Sequence, residues 1–319
     1  AVLRVLGSVV SPGGALGRLS ILIYHRVHGT SDPLLPGEVD AAAFSTQMAL
    51  LAEHFRVLQL EEAVERLARG QLPTRAVSVT FDDGYADNHD VAMPILRRLG
   101  IPATFFIATG FLDGGRMWND TVIEAIRQAN DPALDLSGLG LGTLPVASIS
   151  ERRIAIRSIL NSIKHKFPSE RDEIVGAIAA QVGAPMPSTL MMTRDQVRAL
   201  RAAGMGIGGH TVNHPILTRI VAPAAEHEIA DGKAELEAII GEPVGLFAYP
   251  NGKPTVDFAA EHVALTKKLG FRAAVTTSWG AARQTSDLFQ LPRFTPWDRQ
   301  TLKFGLRLLL NARRSGYEI

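Results

Sequence analysis

The feature that most constrains this chain is an alternation. Short runs of apolar and β-branched residues recur along it, separated by stretches with the 3.6-residue period of amphipathic helices. The runs that read as strands are 21–24, 56–60, 77–81, 104–108, 205–208, 245–248 and 273–277. Between them, Phe44, Met48, Leu51 and Phe55 fall on one helical face. Thr193 with Gln196 forms a capping box, and the helix it opens stops at Gly204. A helix is expected over 223–240, stopped by Gly241, and another over 255–269, with Thr255 as its N-cap. Such alternation argues for parallel strands joined by crossover helices. Seven or so units suit a closed β/α barrel better than an open sheet. The chain is expected to form one domain over 1–319 with a helical insertion at about 130–190. That stretch lacks a convincing strand, begins with a Gly/Leu-rich loop and carries a helical pattern over 151–166.

Composition then removes whole classes of function. With 46% hydrophobic and 20% charged residues the chain is too apolar to be disordered. A formal charge of +1 provides no electrostatic footprint for nucleic acid. Cysteine is absent, which excludes a disulfide framework, thiolate catalysis and Cys-ligated metals. No apolar run approaches the ~20 residues that cross a bilayer, so no integral membrane segment is expected. Residues 1–20 have no strong signal-peptide anatomy. That favours a soluble, cytoplasmic protein, although the first residue is Ala rather than Met and leaves room for an upstream segment.

Reactive side chains cluster where strands end. Tyr24-His25-Arg26 follows 21–23, and Asp82-Asp83-Gly84 follows 77–81. His210 follows 205–209, and Tyr249-Pro250-Asn251-Gly252 follows 246–248. In β/α barrels the rim at the C-terminal strand ends carries the active site. Asp-Asp-Gly is equally good turn chemistry on its own. His210 and His214, four residues apart among Gly208, Gly209 and Pro215, suit a loop or tight turn. With a carboxylate from another strand end they suit a two-His, one-carboxylate metal site with a position left for water. Zinc fits these ligands, as do iron, cobalt and nickel.

The segments Thr80-Phe81-Asp82-Asp83-Gly84, His210-Thr211-Val212-Asn213-His214 and Phe247-Ala248-Tyr249-Pro250-Asn251-Gly252 resemble the successive motifs of the polysaccharide deacetylase family (NodB homology, carbohydrate esterase 4). The resemblance spans about 21–294 and is loosest in the insertion. It implies a distorted (β/α)7 barrel and metal-dependent removal of acetyl groups from N-acetylated sugars of a polysaccharide or its precursor. It also implies Asp82 as general base, and Asp83, His210 and His214 as ligands of a divalent metal, Zn2+ first and Co2+ or Ni2+ next. A backbone N–H near Tyr249, within Tyr249-Pro250-Asn251, would complete an oxyanion site. The partner it implies is an acetylated glycan, with exopolysaccharide biosynthesis machinery as the setting.

Two departures from the family pattern matter. The usual Leu-x-His motif that supplies the general acid is replaced by Leu291-Pro292-Arg293-Phe294. His25 is the candidate acid, because the sequence resembles exopolysaccharide deacetylases that begin with a Tyr-His element. A loop-bonding histidine is the plainer reading. The third motif also lacks the arginine that orients the catalytic Asp, and Arg293 is the candidate to hold Asp82 instead. A surface ion pair is the competing role for Arg293. Trp118 and Trp297 are expected in loops, either stacking on sugar or packing on the barrel. An O-acetyl esterase and a catalytically impaired carbohydrate-binding barrel are the alternative functions.

Overall fold

The computed structural model describes residues 2–296 and 298–316, so Trp297 lies outside the described residues. Seven parallel strands form the main sheet. They are β1 (Ser20–Tyr24), β2 (Arg56–Val57), β3 (Ala76–Phe81), β4 (Ala103–Ile107), β5 (Gly206–Gly209), β6 (Leu246–Ala248) and β7 (Ala273–Val275). Their order is β1-β3-β4-β5-β6-β7, with β2 also paired to β3. The α-helices are α1 (Val2–Val10), α2 (Ala41–His54), α3 (Leu60–Ala68), α4 (Met93–Leu99), α5 (Trp118–Gln128), α6 (Ile149–Ile163), α7 (Pro168–Val182), α8 (Arg194–Ala202), α9 (Ala222–Ile240), α10 (Ala260–Lys268) and α11 (Thr301–Asn311). Every residue of β1, β3 and β4 is buried, as expected where helices cover a parallel sheet.

The sheet curls into a barrel, and a late segment bridges its two edges. Leu291 N–H donates to Ala274 O at 3.0 Å on the β7 side. Phe294 N–H donates to Ile21 O at 2.7 Å on the β1 side. The segment between them carries Arg293 across the top of the barrel. Beneath that rim Phe81 stacks on Phe105 with centroids 4.7 Å apart and on Tyr24 at 5.5 Å. Each aromatic pair adds ~0.5–1.5 kcal/mol beyond area burial, so the strand ends that present the site stand on a stiff base.

Several expectations are corrected. The run 56–60 is a strand only at Arg56–Val57, because Leu60, Ala63, Val64 and Leu67 bury one face of α3. The helix expected from Thr255 begins at Ala260. Thr255 sits at φ 66° in a turn where its N–H donates to Phe258 O at 2.9 Å, which lets Phe258 stack on Tyr249. The insertion does contain strands, an antiparallel hairpin of Ala133–Leu136 with Gly142–Pro145. Leu134 and Leu136 point inward from it, a two-residue alternation too brief to read in isolation. Trp118 opens α5 rather than lying in a loop. Helices α5, α6 and α7 and the hairpin share a hydrophobic cluster of their own, built on Val122, Ile126, Ile159 and Ile178. Among the described residues no helix is long and apolar enough to cross a membrane.

Candidate functional site

Strand β3 delivers Asp82 and Asp83 to the rim. Asp82 N–H donates to Tyr24 O at 2.9 Å, continuing the pairing with β1. Asp83 then takes φ 78°, a left-handed conformation that a non-glycine residue adopts at a cost. Thr211 (φ 66°) and His214 (φ 53°) share that conformation. Strain is therefore concentrated in the two segments that approach one another here.

Asp83 Oδ1 lies 3.3 Å from His210 Nε2 and 3.4 Å from His214 Nε2. The oxygen is buried and accepts no hydrogen bond among the described residues. One ligand atom from each of Asp83, His210 and His214 falls within 4.8 Å of the other two. A second contact fixes the chemistry of His210. Its Nδ1 stands 2.7 Å from the carbonyl of Ala248, the last residue of β6. A carbonyl only accepts, so Nδ1 carries a hydrogen, and the neutral ring then turns its Nε2 lone pair toward Asp83, the tautomer that metal-binding histidines adopt. An orphaned carboxylate oxygen beside two imidazole nitrogens therefore fits a divalent cation.

Helix α9 holds the histidine loop. Glu228 Oε2 accepts from the N–H groups of Val212 (3.0 Å) and Asn213 (2.7 Å), and Oε1 accepts from the Asn213 amide (2.8 Å). One turn on, a Cβ at Gly232 would stand 2.9 Å from the carbonyl carbon of Thr211, so only glycine lets the helix come this close. Burial is the main influence on His214 and lowers it to about 4, leaving it neutral near pH 7. For His210 burial is outweighed by Asp83 and Asp82, and its pKa is raised. Burial pushes Asp83 up, but the adjoining His210, His214 and His25 hold it far below the usual carboxylate range.

Asp82 faces a different partner. Arg293 Nη1 and Nη2 each lie 2.7 Å from one Asp82 oxygen. Arg293 Nε also donates to Thr276 O at 2.9 Å, and Nη1 to Thr80 Oγ1 at 3.2 Å. Arg293 is 1% exposed, so this is a buried two-point clamp rather than a surface pair. Burial alone would raise the Asp82 pKa, but the Arg293 charge, with help from His210, brings it below the ordinary value.

Asp82, Asp83, His210, His214, His25 and Asn251 line one cavity of about 340 Å³. His25 follows β1 with an exposed side chain, and its carbonyl accepts from the Asn88 amide at 2.8 Å. Tyr249 does not match its expected part. Its N–H donates to Val275 O at 3.3 Å within the sheet, and its ring is buried on Phe258, centroids 3.9 Å apart. Pro250 has no N–H to offer. Asn251, at φ 58°, has an N–H with no protein acceptor among the described residues.

Trp118 apart, some residues of the site carried no sequence signal. Glu228 sits in a helix legible only by its period and stop. Trp118, Asn161 and Lys164 reach the cavity from α5 and the end of α6, so the insertion forms part of its wall. Arg171 from α7 covers the Trp118 ring at 4.9 Å.

Known proteins share this arrangement of chain. The structure superposes on the Streptococcus pyogenes deacetylase PplD in complex with acetate with a TM-score of 0.62, at 21% identity, over 92% of this chain and 98% of that one. It superposes on IcaB from Ammonifex degensii with a TM-score of 0.60, at 20% identity, over 95% and 99%. In sequence the chain is 22% identical to YxkH of Bacillus subtilis over 86% of its own length and 70% of that protein. It is 32% identical to the poly-β-1,6-N-acetyl-D-glucosamine N-deacetylase of Staphylococcus epidermidis over 31% of this chain and 38% of that enzyme. A profile of the polysaccharide deacetylase family matches residues 69–132 and 171–274. Those stretches take in more than half of the chain and include both carboxylates of the rim and both histidines of the loop, and the chain belongs to the polysaccharide deacetylase family.

Proposed function

We propose that this chain hydrolyses the acetamide of N-acetylated sugars in a polysaccharide or its precursor, with a divalent metal held by Asp83, His210 and His214. The observation that carries the reading is the unequal environment of two adjacent carboxylates. Asp83 presents an unpartnered oxygen to two imidazoles, whereas both oxygens of Asp82 are held by Arg293. Zinc suits the ligand set best, with cobalt or nickel as workable substitutes. Bound there, the cation supplies Lewis acidity, lowering the pKa of water and polarising the acetyl carbonyl.

The protein's own residues divide the remaining work. Asp82 accepts the proton of the attacking water, and Arg293 keeps it ionised and aimed at the cavity. A carboxylate with a lowered pKa is a weak base toward ordinary water but an adequate one toward acidified water. The Asn251 N–H is the donor best placed to receive the developing oxyanion, since that of Tyr249 is committed to the sheet. His25 gives a proton to the departing amine, the role left open by Leu291-Pro292-Arg293. The Trp118 and Lys164 wall positions the sugar.

The test is acetate release from N-acetylglucosamine oligosaccharides by protein stripped with a chelator and reloaded with single metals. Activity lost on stripping and restored by zinc or cobalt supports the reading. Full activity in the stripped protein, verified metal-free, rejects it.

A further inference from the structure

Two helices from opposite ends of the described chain meet on one side of the barrel. Helix α1 packs along α11, where a Cβ at Gly305 would stand 3.0 Å from Leu3 Cδ1 and one at Gly7 3.4 Å from Leu309 Cδ2. These contacts, with Phe304 and Leu308 facing the core, use the buried faces of both helices. Their outward faces are apolar as well. Val5, Leu6 and Val9 are exposed on α1, and Leu302, Leu306 and Leu310 form an exposed stripe at i, i+4, i+8 on α11. Six of the thirteen large hydrophobic residues exposed in the described chain lie on these two short helices, a concentration that scattered surface apolars do not produce.

The charge on this face is mainly positive, with Asp298 as the carboxylate paired to Arg307. Neither helix contains an acidic residue. Lys303, Arg307 and Arg314 run beside the leucine stripe and, with Leu306, Leu310 and Trp279, line a groove of about 290 Å³. At the C-terminal end of α11, Arg18 donates to Ala312 O at 2.7 Å and Arg283 to Arg313 O at 3.4 Å. The pKa of Arg18 is lowered by burial and then by the neighbouring charges of Arg283 and Arg313. Arg307 pairs with Asp298. Among the described residues no carboxylate pairs with Lys303, Arg18, Arg283, Arg313 or Arg314.

We propose that the α1–α11 face is a peripheral docking surface for a bilayer containing anionic lipid. An apolar stripe flanked by Lys and Arg is the pattern of a helix that lies in the headgroup layer, its leucines at the acyl boundary and its cations on phosphate. The 9 and 11 described residues of these helices are long enough to lie in that plane. A second copy of the chain fits less well, because a two-fold pairing of this face would set Lys303, Arg313 and Arg314 against their own duplicates. The proposal is independent of the catalytic reading.

Vesicle co-sedimentation tests it, comparing phosphatidylcholine vesicles with vesicles of phosphatidylcholine and phosphatidylglycerol. The wild type should partition to the anionic vesicles, less so as salt rises. Combined Leu302→Ser, Leu306→Ser and Leu310→Ser, and separately combined Lys303→Glu, Arg313→Glu and Arg314→Glu, should each weaken partitioning by about tenfold or more. Both variants should keep the wild-type circular dichroism spectrum. Failure of the wild type to sediment with anionic vesicles overturns the proposal, as does sedimentation of both variants like the wild type. A dimer in sedimentation velocity that the leucine substitutions abolish, without vesicle binding, would assign the face to self-association and overturn it too.

Discussion

Arg293 holds both carboxylate oxygens of Asp82 at 2.7 Å, although 211 residues separate the two in the chain. The contact exists because the segment around Arg293 bridges the sheet edges, bonded to β7 through Leu291 and to β1 through Phe294. Closure of the barrel and orientation of the proposed base are thus one structural event.

Arg293→Gln should therefore damage both stability and the acid side of the pH–rate profile. Removing one member of a buried pair leaves the other charge uncompensated, at a cost of ~3–5 kcal/mol. The Asp82 pKa is depressed in the folded state, so its ionic contribution is present above the unfolded value of ~3.9 and fades as pH falls below it. Without Arg293 the folded pKa rises, and the acid limb of activity moves to higher pH. Chemical denaturation together with kcat/KM against pH checks both parts; an unmoved acid limb contradicts the assignment of Asp82.

His214 predicts a pH effect of the opposite origin. Its folded pKa of about 4 lies below the ordinary histidine value of ~6.5, so the unfolded chain binds its proton first. The metal-free protein should lose stability from this group as pH falls from ~6.5 toward 4, and His214→Asn should flatten that slope. Thermal melts across this range provide the measurement.

Glu228→Ala should loosen the loop that carries both histidines without touching a proposed ligand. Loss of such supporting bonds typically weakens metal affinity by about 10–100-fold. Competition with a chromophoric chelator reads this directly, and Glu228→Gln, which retains acceptor capacity, should recover part of it.

His25→Ala should leave metal binding intact and lower amide hydrolysis by about 10²–10⁴-fold. Esters with good leaving groups should be hurt much less, because their departure needs less help from a proton. Equal effects on matched amide and ester substrates would remove His25 from the role of acid.

The legibility of this molecule follows from the range of its interactions. The rim residues could be read because each sits directly after its own strand, so local pattern alone placed Asp82, Asp83, His210 and Asn251 at one end of the barrel. The capping box of Thr193 and Gln196 is likewise local, and both of its bonds form. Thr255 reads as a cap but is drawn into a turn by the burial of Phe258 beneath Tyr249, a tertiary effect. The 133–145 hairpin depends on packing Leu134 and Leu136 into the insertion's own cluster, which its short alternation does not announce. The commitment of the Tyr249 N–H depends on β7 lying alongside β6. Arg293 could be named from the sequence as the candidate to hold Asp82, but its choice between that role and a surface ion pair is made by how the barrel closes.

The most direct measurement is paired metal content and acetate release for Asp82→Asn and Asp83→Asn, purified identically and reloaded with zinc. Asp82→Asn should bind close to one equivalent of metal, as the wild type should, while losing most turnover. Asp83→Asn should lose both. Retention of metal by Asp83→Asn with loss from Asp82→Asn would reverse the two roles and contradict the account.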